Sequence, residues 1–331
     1  MSENLTPPDL ETRFQQPEGW RWHHFERDGR KIRFGCASPK DSIPDAVIVC
    51  MQGLREFTEK YYETAHWALD NNCAFWMMDW VGQGKSSRFL KNPQKRHNIG
   101  FDKDLEDLHY FIYEYIKHSS VHPDKGRIPM AMLAHSMGAN IGLRYLAKYP
   151  ETFECAAFTS PMIGMKVFHY VPQALALLTT HILKIIMGKL YVPGGKDWGK
   201  RKDHARLSHD PVRSEIHNTW CSHDEELQCG DVTFGWLYEA QKSCVKLQSD
   251  SIHKQISSPC LFGIPEHEDL VDNIIAEKVI AGIENSKIVD YPHAAHEILM
   301  EQDEIRNDFL KHFYTLIKEN IINRPETLKP F

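Results

Sequence analysis

The stretch Ala131-Met132-Leu133-Ala134-His135-Ser136-Met137-Gly138-Ala139-Asn140 runs an apolar strand pattern straight into a serine. An amphipathic helix of Ile141, Leu143 and Leu146 follows at once. A serine hydroxyl is a weak nucleophile until a base takes its proton and a third group orients that base. The pattern here is a nucleophile elbow, G-x-S-x-G, with Ala134 in place of the first glycine. Its physics is specific. The serine must stand on a sharp strand-to-helix turn, with its hydroxyl exposed at the sheet edge. Residues two positions either side must be small so that helix and strand can approach. The helix N-terminus and the Met137 N–H then face a developing oxyanion. An ordinary strand–turn–helix with an incidental serine would look the same over this segment alone, so the partners decide.

Two downstream segments offer those partners. Phe262-Gly263-Ile264-Pro265-Glu266-His267-Glu268-Asp269-Leu270-Val271-Asp272 follows a buried apolar run and carries acids onto a loop. Tyr291-Pro292-His293-Ala294-Ala295-His296-Glu297-Ile298-Leu299 places an imidazole just past another strand. Nucleophile, acid and base thus occur in a workable order, each at a strand end. Glu268 and Asp269 compete for the acid position. Cys50-Met51-Gln52-Gly53-Leu54-Arg55-Glu56 ends the first long strand, and a loop there would bring the Leu54 N–H beside Ser136 as a second oxyanion donor. A plain strand-ending glycine turn reads the same.

These side chains need a scaffold, and the pattern supplies one. Runs at 46–51, 73–78, 128–134, 155–159, 259–263 and 288–291 are apolar on successive positions, as in strands buried on both faces of a parallel sheet. Helical stretches are predicted at 59–71, 105–117, 139–149 and 303–318. Leu105, Leu108, Ile112 and Tyr115 recur at helical spacing and make one apolar face. Residues 20–36 read as a hairpin turning at Asp28-Gly29. Strand–helix alternation implies a right-handed α/β sheet. It breaks between about 163 and 250, a helical and irregular stretch rich in His, Lys and Trp. The expected organisation is a core of 1–162 and 251–331 with 163–250 inserted as a mainly helical cap.

Composition closes off other classes. The 331 residues carry a net charge of −6, with no basic stripe to suggest nucleic acid as a partner. The eight cysteines include no CxxC pair and several lie in apolar runs, as free thiols of a reducing compartment do. The first residues show neither basic start nor apolar leader core. The longest uncharged stretch, 167–183, is interrupted by Pro172, Thr179, Thr180 and His181, so no membrane span is expected. Together these predict a cytoplasmic chain. Ala174, Leu175, Leu178, Ile182, Ile185 and Ile186 repeat at helical spacing. They read as a helix packing the cap onto the core, as an apolar lip at the inner face of a membrane, or as both. His181, Lys184 and Lys189 would then sit at headgroup level. Gly82-Gln83-Gly84-Lys85-Ser86 imitates a P-loop, but Asp79 stands where its first glycine is required. His217, Cys221, His223 and Cys229 fit no familiar zinc spacing. Neither cofactor nor metal is expected, and oligomeric state stays open.

At this point the chain resembles the α/β-hydrolase family, and within it the lysophospholipase and monoacylglycerol-lipase branch, over roughly residues 20–320. The resemblance rests on Gln52-Gly53-Leu54-Arg55-Glu56-Phe57 for H-G-[LA]-G-E-H, Asp79-Trp80-Val81-Gly82-Gln83-Gly84-Lys85-Ser86 for D-x-R-G-x-G-x-S, and Ala134-His135-Ser136-Met137-Gly138-Ala139 for G-H-S-M-G-G. Glu266-His267-Glu268-Asp269-Leu270-Val271-Asp272-Asn273 stands for G-E-D-x-x-V-D-N, and Ala294-Ala295-His296-Glu297-Ile298-Leu299 for G-x-x-H-E-[IL]-L. In the insert, Leu207-Ser208-His209-Asp210-Pro211-Val212-Arg213 and Thr233-Phe234-Gly235-Trp236-Leu237 look like bacterial lysophospholipase L2-type members. The resemblance implies Ser136 as nucleophile, His296 as base, Glu268 as acid, and oxyanion N–H groups from Leu54 and Met137. It also implies a capped site that hydrolyses esters of single-chain lipids without metal or cofactor. A short-chain esterase or acyltransferase would use the same triad, and a lipid-binding protein without turnover could share the fold. Four positions depart from the pattern. Ala134 adds a methyl where helix meets strand, which a small shift should absorb. Gln52 replaces a His and should alter the loop's hydrogen bonds. Val81 replaces an Arg and should remove a charged contact under the loop. Glu268 replaces an Asp, and register with Leu270-Val271-Asp272-Asn273 favours it over Asp269.

Overall fold

Side chains that alternate between two apolar faces build the sheet. A computed structural model describes residues 6–7, 9–122, 126–200, 202 and 204–324. The strands of its main sheet are β1 (Arg21–Arg27), β2 (Arg30–Ala37), β3 (Ala46–Met51), β4 (Cys73–Met78), β5 (Met130–His135), β6 (Cys155–Thr159), β7 (Cys260–His267) and β8 (Ser286–Ala295). They form one eight-stranded sheet in the order β1-β2-β4-β3-β5-β6-β7-β8. The pairs β1/β2 and β2/β4 are antiparallel, and every other pair is parallel. The predicted hairpin is β1–β2. Asp28 and Gly29 both adopt positive φ, 49° and 69°, as a two-residue turn matched to the strand twist requires.

Every residue of β3, β4, β5 and β6 is buried, which is why these strands read as unbroken apolar runs. Val47, Val49, Met51 and Met132 point to one face, and Ile48, Cys50, Ala131 and Leu133 to the other. On the first face lie Phe101, Leu105 and Leu108 of α2 (Phe101–Tyr110) and Ile141 and Leu146 of α3 (Met137–Lys148). On the second lies α1 (Tyr62–Asp70). The architecture is the expected α/β one.

Element ends differ from the sequence reading for local reasons. Pro129 offers only a carbonyl, so β5 starts one residue after it. The helix predicted at 105–117 starts earlier, at Phe101. Gly100 at φ 145° ends the preceding loop, and Asn98 accepts its N–H at 2.6 Å. That helix then widens into a π-helical turn over Phe111–Ile116, invisible to a 3.6-residue period.

Between β6 and β7 no strand of the sheet occurs among the described residues. This stretch holds α4 (Gln173–Met187), α5 (Arg213–His223) and α6 (Phe234–Leu247). The sheet closes with α7 (Asn273–Ile280) and α8 (Asp303–Ile317), whose Phe309, Leu310 and Phe313 cover the second face. Trp236, Ala240, Cys244 and Leu247 of α6 belong to the main core, and Ser243 Oγ donates to Asn140 Oδ1 of α3 at 2.5 Å. In α4 only Ala176 and Thr180 are buried. Among the described residues no helix is long and apolar enough to cross a membrane. All eight cysteines are free thiols, and seven are buried.

Candidate active site

Ser136 is the single residue between the end of β5 and the start of α3. It holds φ 51° and ψ −114°, a sparsely populated conformation that costs about 1–3 kcal/mol. The backbone around it pins that geometry. Its N–H donates to Thr159 O at 3.0 Å, and its carbonyl accepts from Asn140 N at 3.1 Å and Met162 N at 3.2 Å. Gly138 shows why the elbow needs small neighbours: a Cβ there would stand 2.3 Å from Met51 O, a backbone atom that cannot swing away. The methyl of Ala134 is fully buried in the core on that face, so the larger residue is absorbed.

His296 follows directly on β8. Its Nε2 lies 3.0 Å from Ser136 Oγ and its Nδ1 lies 2.7 Å from Glu268 Oε2. The other oxygen, Oε1, accepts from Leu270 N at 2.7 Å and Val271 N at 3.1 Å. Three donors thus fix the carboxylate on the loop after β7. Asp269 turns outward to Arg206 at 3.3 Å and Lys166 at 3.8 Å, and is exposed. Of the two acids considered, the geometry brings Glu268 to the imidazole.

Electrostatics follow from the burial. Burial works against charge on His296, yet Glu268 outweighs it and holds the imidazole above its ordinary value. Burial likewise works against charge on Glu268, and His296 with the two N–H groups holds it below the usual carboxylate range. His135, next to the serine, goes the other way: burial pushes it down to about 4, so it is neutral. Its ring meets the His296 ring edge-on at 4.8 Å, and its Nδ1 sits 3.0 Å from Thr159 Oγ1. Ser160 Oγ donates to the His296 carbonyl.

The loop after β3 lies against the serine; a Cβ on Gly53 would be 3.2 Å from Ser136 Cβ. The N–H groups flanking Leu54 are committed, Gly53 to Glu56 Oε2 at 2.6 Å and Arg55 to Gln83 Oε1 at 3.1 Å. The Leu54 N–H meets no acceptor among the described residues. Met137 is the first residue of its helix, where an N–H has no intrahelical acceptor. Gln52 is buried, and neither atom of its side-chain amide is hydrogen-bonded among the described residues; its carbonyl accepts from Trp80 Nε1 at 3.0 Å.

The absent arginine at Val81 does not leave the loop without a guanidinium. Arg96, fully buried, donates to Gln83 Oε1 at 3.0 Å and to His97 O at 2.6 Å, and its other nitrogen lies 3.7 Å from Met137 Sδ. Val81 itself brings no charge to the loop; the guanidinium there enters from another segment. The glycine loop wraps Asp79, which accepts from Thr58 N at 2.9 Å, Lys85 N at 2.9 Å and Arg33. Lys85 pairs with Asp224. Among the His and Cys residues of this stretch, Cys229 Sγ faces Gly82 O at 3.6 Å, and His217 Nε2 lies 3.7 Å from Cys221 Sγ.

One buried cluster carried no assigned role in the sequence. Lys60 Nζ donates to Glu56 Oε1 at 2.6 Å and to Glu297 Oε2 at 2.7 Å, and Tyr61 OH donates to Glu56 Oε2 at 2.7 Å. It joins the Gly53 loop to the residue after His296. The signal was present: Glu56 and Lys60 stand four residues apart, and Glu297 adjoins the histidine.

Above Ser136 and His296 opens a cavity of about 820 Å³. Leu54, Met162, Met165, Trp236, Leu237 and Val271 give it apolar wall. The arrangement provides a serine with a base in reach, an acid fixing that base, the loop that carries Leu54 against the serine, and an apolar chamber over them.

Comparison with known proteins shows the family and the fold. The Hydrolase_4 family model, described as "Serine aminopeptidase, S33", matches residues 42–303. A protein of Haemophilus influenzae named "Probable lysophospholipase L2" is 28% identical over 275 residues, covering 82% of this chain and 83% of that one. Lysophospholipase L2 of Escherichia coli K12 is 26% identical over 271 residues, covering 80% and 77%. Among solved structures, a soluble variant of monoglyceride lipase from Saccharomyces cerevisiae in complex with a substrate analog superposes with a TM-score of 0.72 at 16% identity, covering 95% of this chain and 100% of that one. The fold is the α/β-hydrolase fold.

Proposed function

Because the chain belongs to the Hydrolase_4 (serine aminopeptidase, S33) family, we propose that it is a serine hydrolase that cleaves carboxylic esters of single-chain lipids. The observation that carries this reading is the unbroken chain Ser136 Oγ–His296 Nε2, His296 Nδ1–Glu268 at the floor of the apolar cavity. Relatives named lysophospholipase L2 support it.

In the mechanism, His296 takes the Ser136 proton as the hydroxyl oxygen attacks the ester carbonyl. Leu54 and Met137 N–H groups hold the oxyanion of the tetrahedral intermediate. The protonated imidazole, steadied by Glu268, returns its proton to the leaving alcohol. A water deprotonated by His296 then frees the fatty acid from the acyl-serine. The strained Ser136 backbone presents Oγ before substrate arrives, so little reorganisation is needed.

The segment 163–250 acts as the cap in this proposal, with α6 as its fixed root and α4 as its exposed outer helix. Leu178 is 58% exposed, Ile185 and Ile186 are each 71% exposed, and Tyr170 is 93% exposed. Such a row, on α4 and the turn just before it, fits contact with a lipid surface, from which a single-chain substrate would enter the cavity. No residue of the proposed mechanism calls for a cofactor or metal.

The test is intact mass after treatment with a fluorophosphonate, with Ser136→Ala alongside. A single adduct on the native chain and none on the variant is the expected result. Silence of the folded native chain both with and without detergent would turn the reading to lipid binding without turnover. An ester series with its optimum at short acyl chains would turn it to a short-chain esterase.

A further inference from the structure

The charges around the cavity are unevenly answered. Its carboxylates each meet a donor. Asp231 takes Arg55 at 2.6 Å, Asp269 takes Arg206 at 3.3 Å, Asp197 accepts from the Tyr191 hydroxyl, and Glu56 and Glu297 share Lys60. Arg55 and Arg206 are occupied by those pairs. Three cations remain. Lys196, Lys200 and Lys202 line the same cavity as Ser136 and His296 and are exposed. The Lys196 backbone N–H donates to Asp231 Oδ2 at 3.0 Å, but none of the three ammonium groups meets an acidic side chain among the described residues. They lie on one short stretch between α4 and α5.

Three ammonium groups gathered at the mouth of a lipid chamber have a chemical meaning. An acyl chain lies against the apolar wall and has no use for them, and neither does an uncharged glycerol. A phosphate diester keeps its negative charge at neutral pH and accepts from several donors at once. The chain as a whole is −6, but screening confines that field to about 10 Å, so the local lysines decide at the mouth. We infer that Lys196, Lys200 and Lys202 form a site for the phosphate of the substrate's headgroup, favouring single-chain lipids with an anionic headgroup over uncharged monoacylglycerols. This rests on the hydrolase reading above. The phosphate could also belong to a surrounding bilayer; the cavity position of the lysines, apart from the exposed apolar row of α4, assigns it to the substrate.

The experiment compares kcat/KM for lysophosphatidylglycerol and monoacylglycerol of one chain length, below micelle formation and without vesicles. The native chain should prefer the anionic lipid, more so at low salt. In K196A/K200A/K202A the ratio of the two values should fall about tenfold, three exposed pairs' worth. Lys200→Glu should lower it too. An unchanged ratio in the triple variant overturns the inference, as does a ratio that falls only when anionic vesicles are added. Calorimetric binding of both lipids to Ser136→Ala separates this from the parent reading. Lysine-dependent binding with no native turnover would sink the hydrolase and keep the site; turnover with lysine-independent selectivity would do the reverse.

Discussion

Glu268 carries one methylene more than the aspartate of the pattern it resembles, and the loop after β7 takes up that length by giving Oε1 two backbone N–H donors. Removing its charge has a defined consequence. Burial alone would lower the His296 value, and Glu268 is what raises it. A raised value keeps the base protonated to higher pH, so the acid limb of kcat/KM should lie above the ordinary imidazole value of 6.5. In Glu268→Gln the limb should move down and kcat should fall about a thousand- to ten-thousand-fold, since the amide leaves the imidazole in the wrong tautomer. Asp269→Asn should stay within about twofold, because its partners are exposed surface cations. A pH–rate profile of the three proteins checks all of this. Lys60 is a second residue with a sharp expectation. Burial works to raise Glu56, and Lys60 with other donors overcomes it, holding the carboxyl at about 2. That charge contributes stability above pH 4.5, lost as pH falls toward 2. Lys60→Met should leave two carboxylates buried without their cation, costing about 3–5 kcal/mol at neutral pH. Acidification should relieve part of that loss by protonating them, which urea unfolding at two pH values would show.

At the scale of elements, the elbow was legible because its demands are local. An apolar run, a serine and small neighbours specify strand, turn and helix within ten residues. The tight spot is Gly138 against Met51 O on the adjacent strand. In Gly138→Ala the helix must back away from β3, costing about 1–3 kcal/mol by overpacking. The shift should also move the Met137 N–H and lower kcat more than it raises KM; thermal unfolding with steady-state kinetics tests both. Strand positions were legible for a related reason: in β3 to β6 both faces are buried, so polarity never interrupts the run. What was not legible is long-range. Arg96 reaches the loop under Met137 from a segment whose sequence shows only a basic, polar stretch, and no spacing rule announces it. Lys60 meets Glu297 across 237 positions, a pairing that no spacing rule announces; only its partner Glu56 is local. The π-helical turn of Phe111–Ile116 lies outside any fixed helical period.

Taken as a whole, the molecule anchors one part of the stretch between β6 and β7 and leaves another open. The root, α6, buries Trp236, Ala240, Cys244 and Leu247 in the main core and exchanges side-chain hydrogen bonds with α3. The outer helix, α4, is held on one side only, through Ala176, Thr180 and the Lys184–Glu239 pair. Its other side is the apolar row that includes Leu175, Leu178, Ile185 and Ile186. Local opening free energy follows buried apolar contact, so the two helices should not open together. Amide hydrogen exchange should show α4 opening well before α6. Phospholipid vesicles should slow exchange in α4 and leave α6 unchanged, because a lipid surface can cover only the row that the core does not. Ile185→Asp with Ile186→Asp should abolish that protection and weaken vesicle partitioning by about a hundredfold or more, two buried side chains being worth about 1.5–3 kcal/mol each. Turnover of monomeric substrate should persist in that variant, since neither residue lines the cavity over Ser136. Equal protection of both helices by vesicles, or none of either, would mean that α4 does not dock and that substrate reaches the cavity from solution.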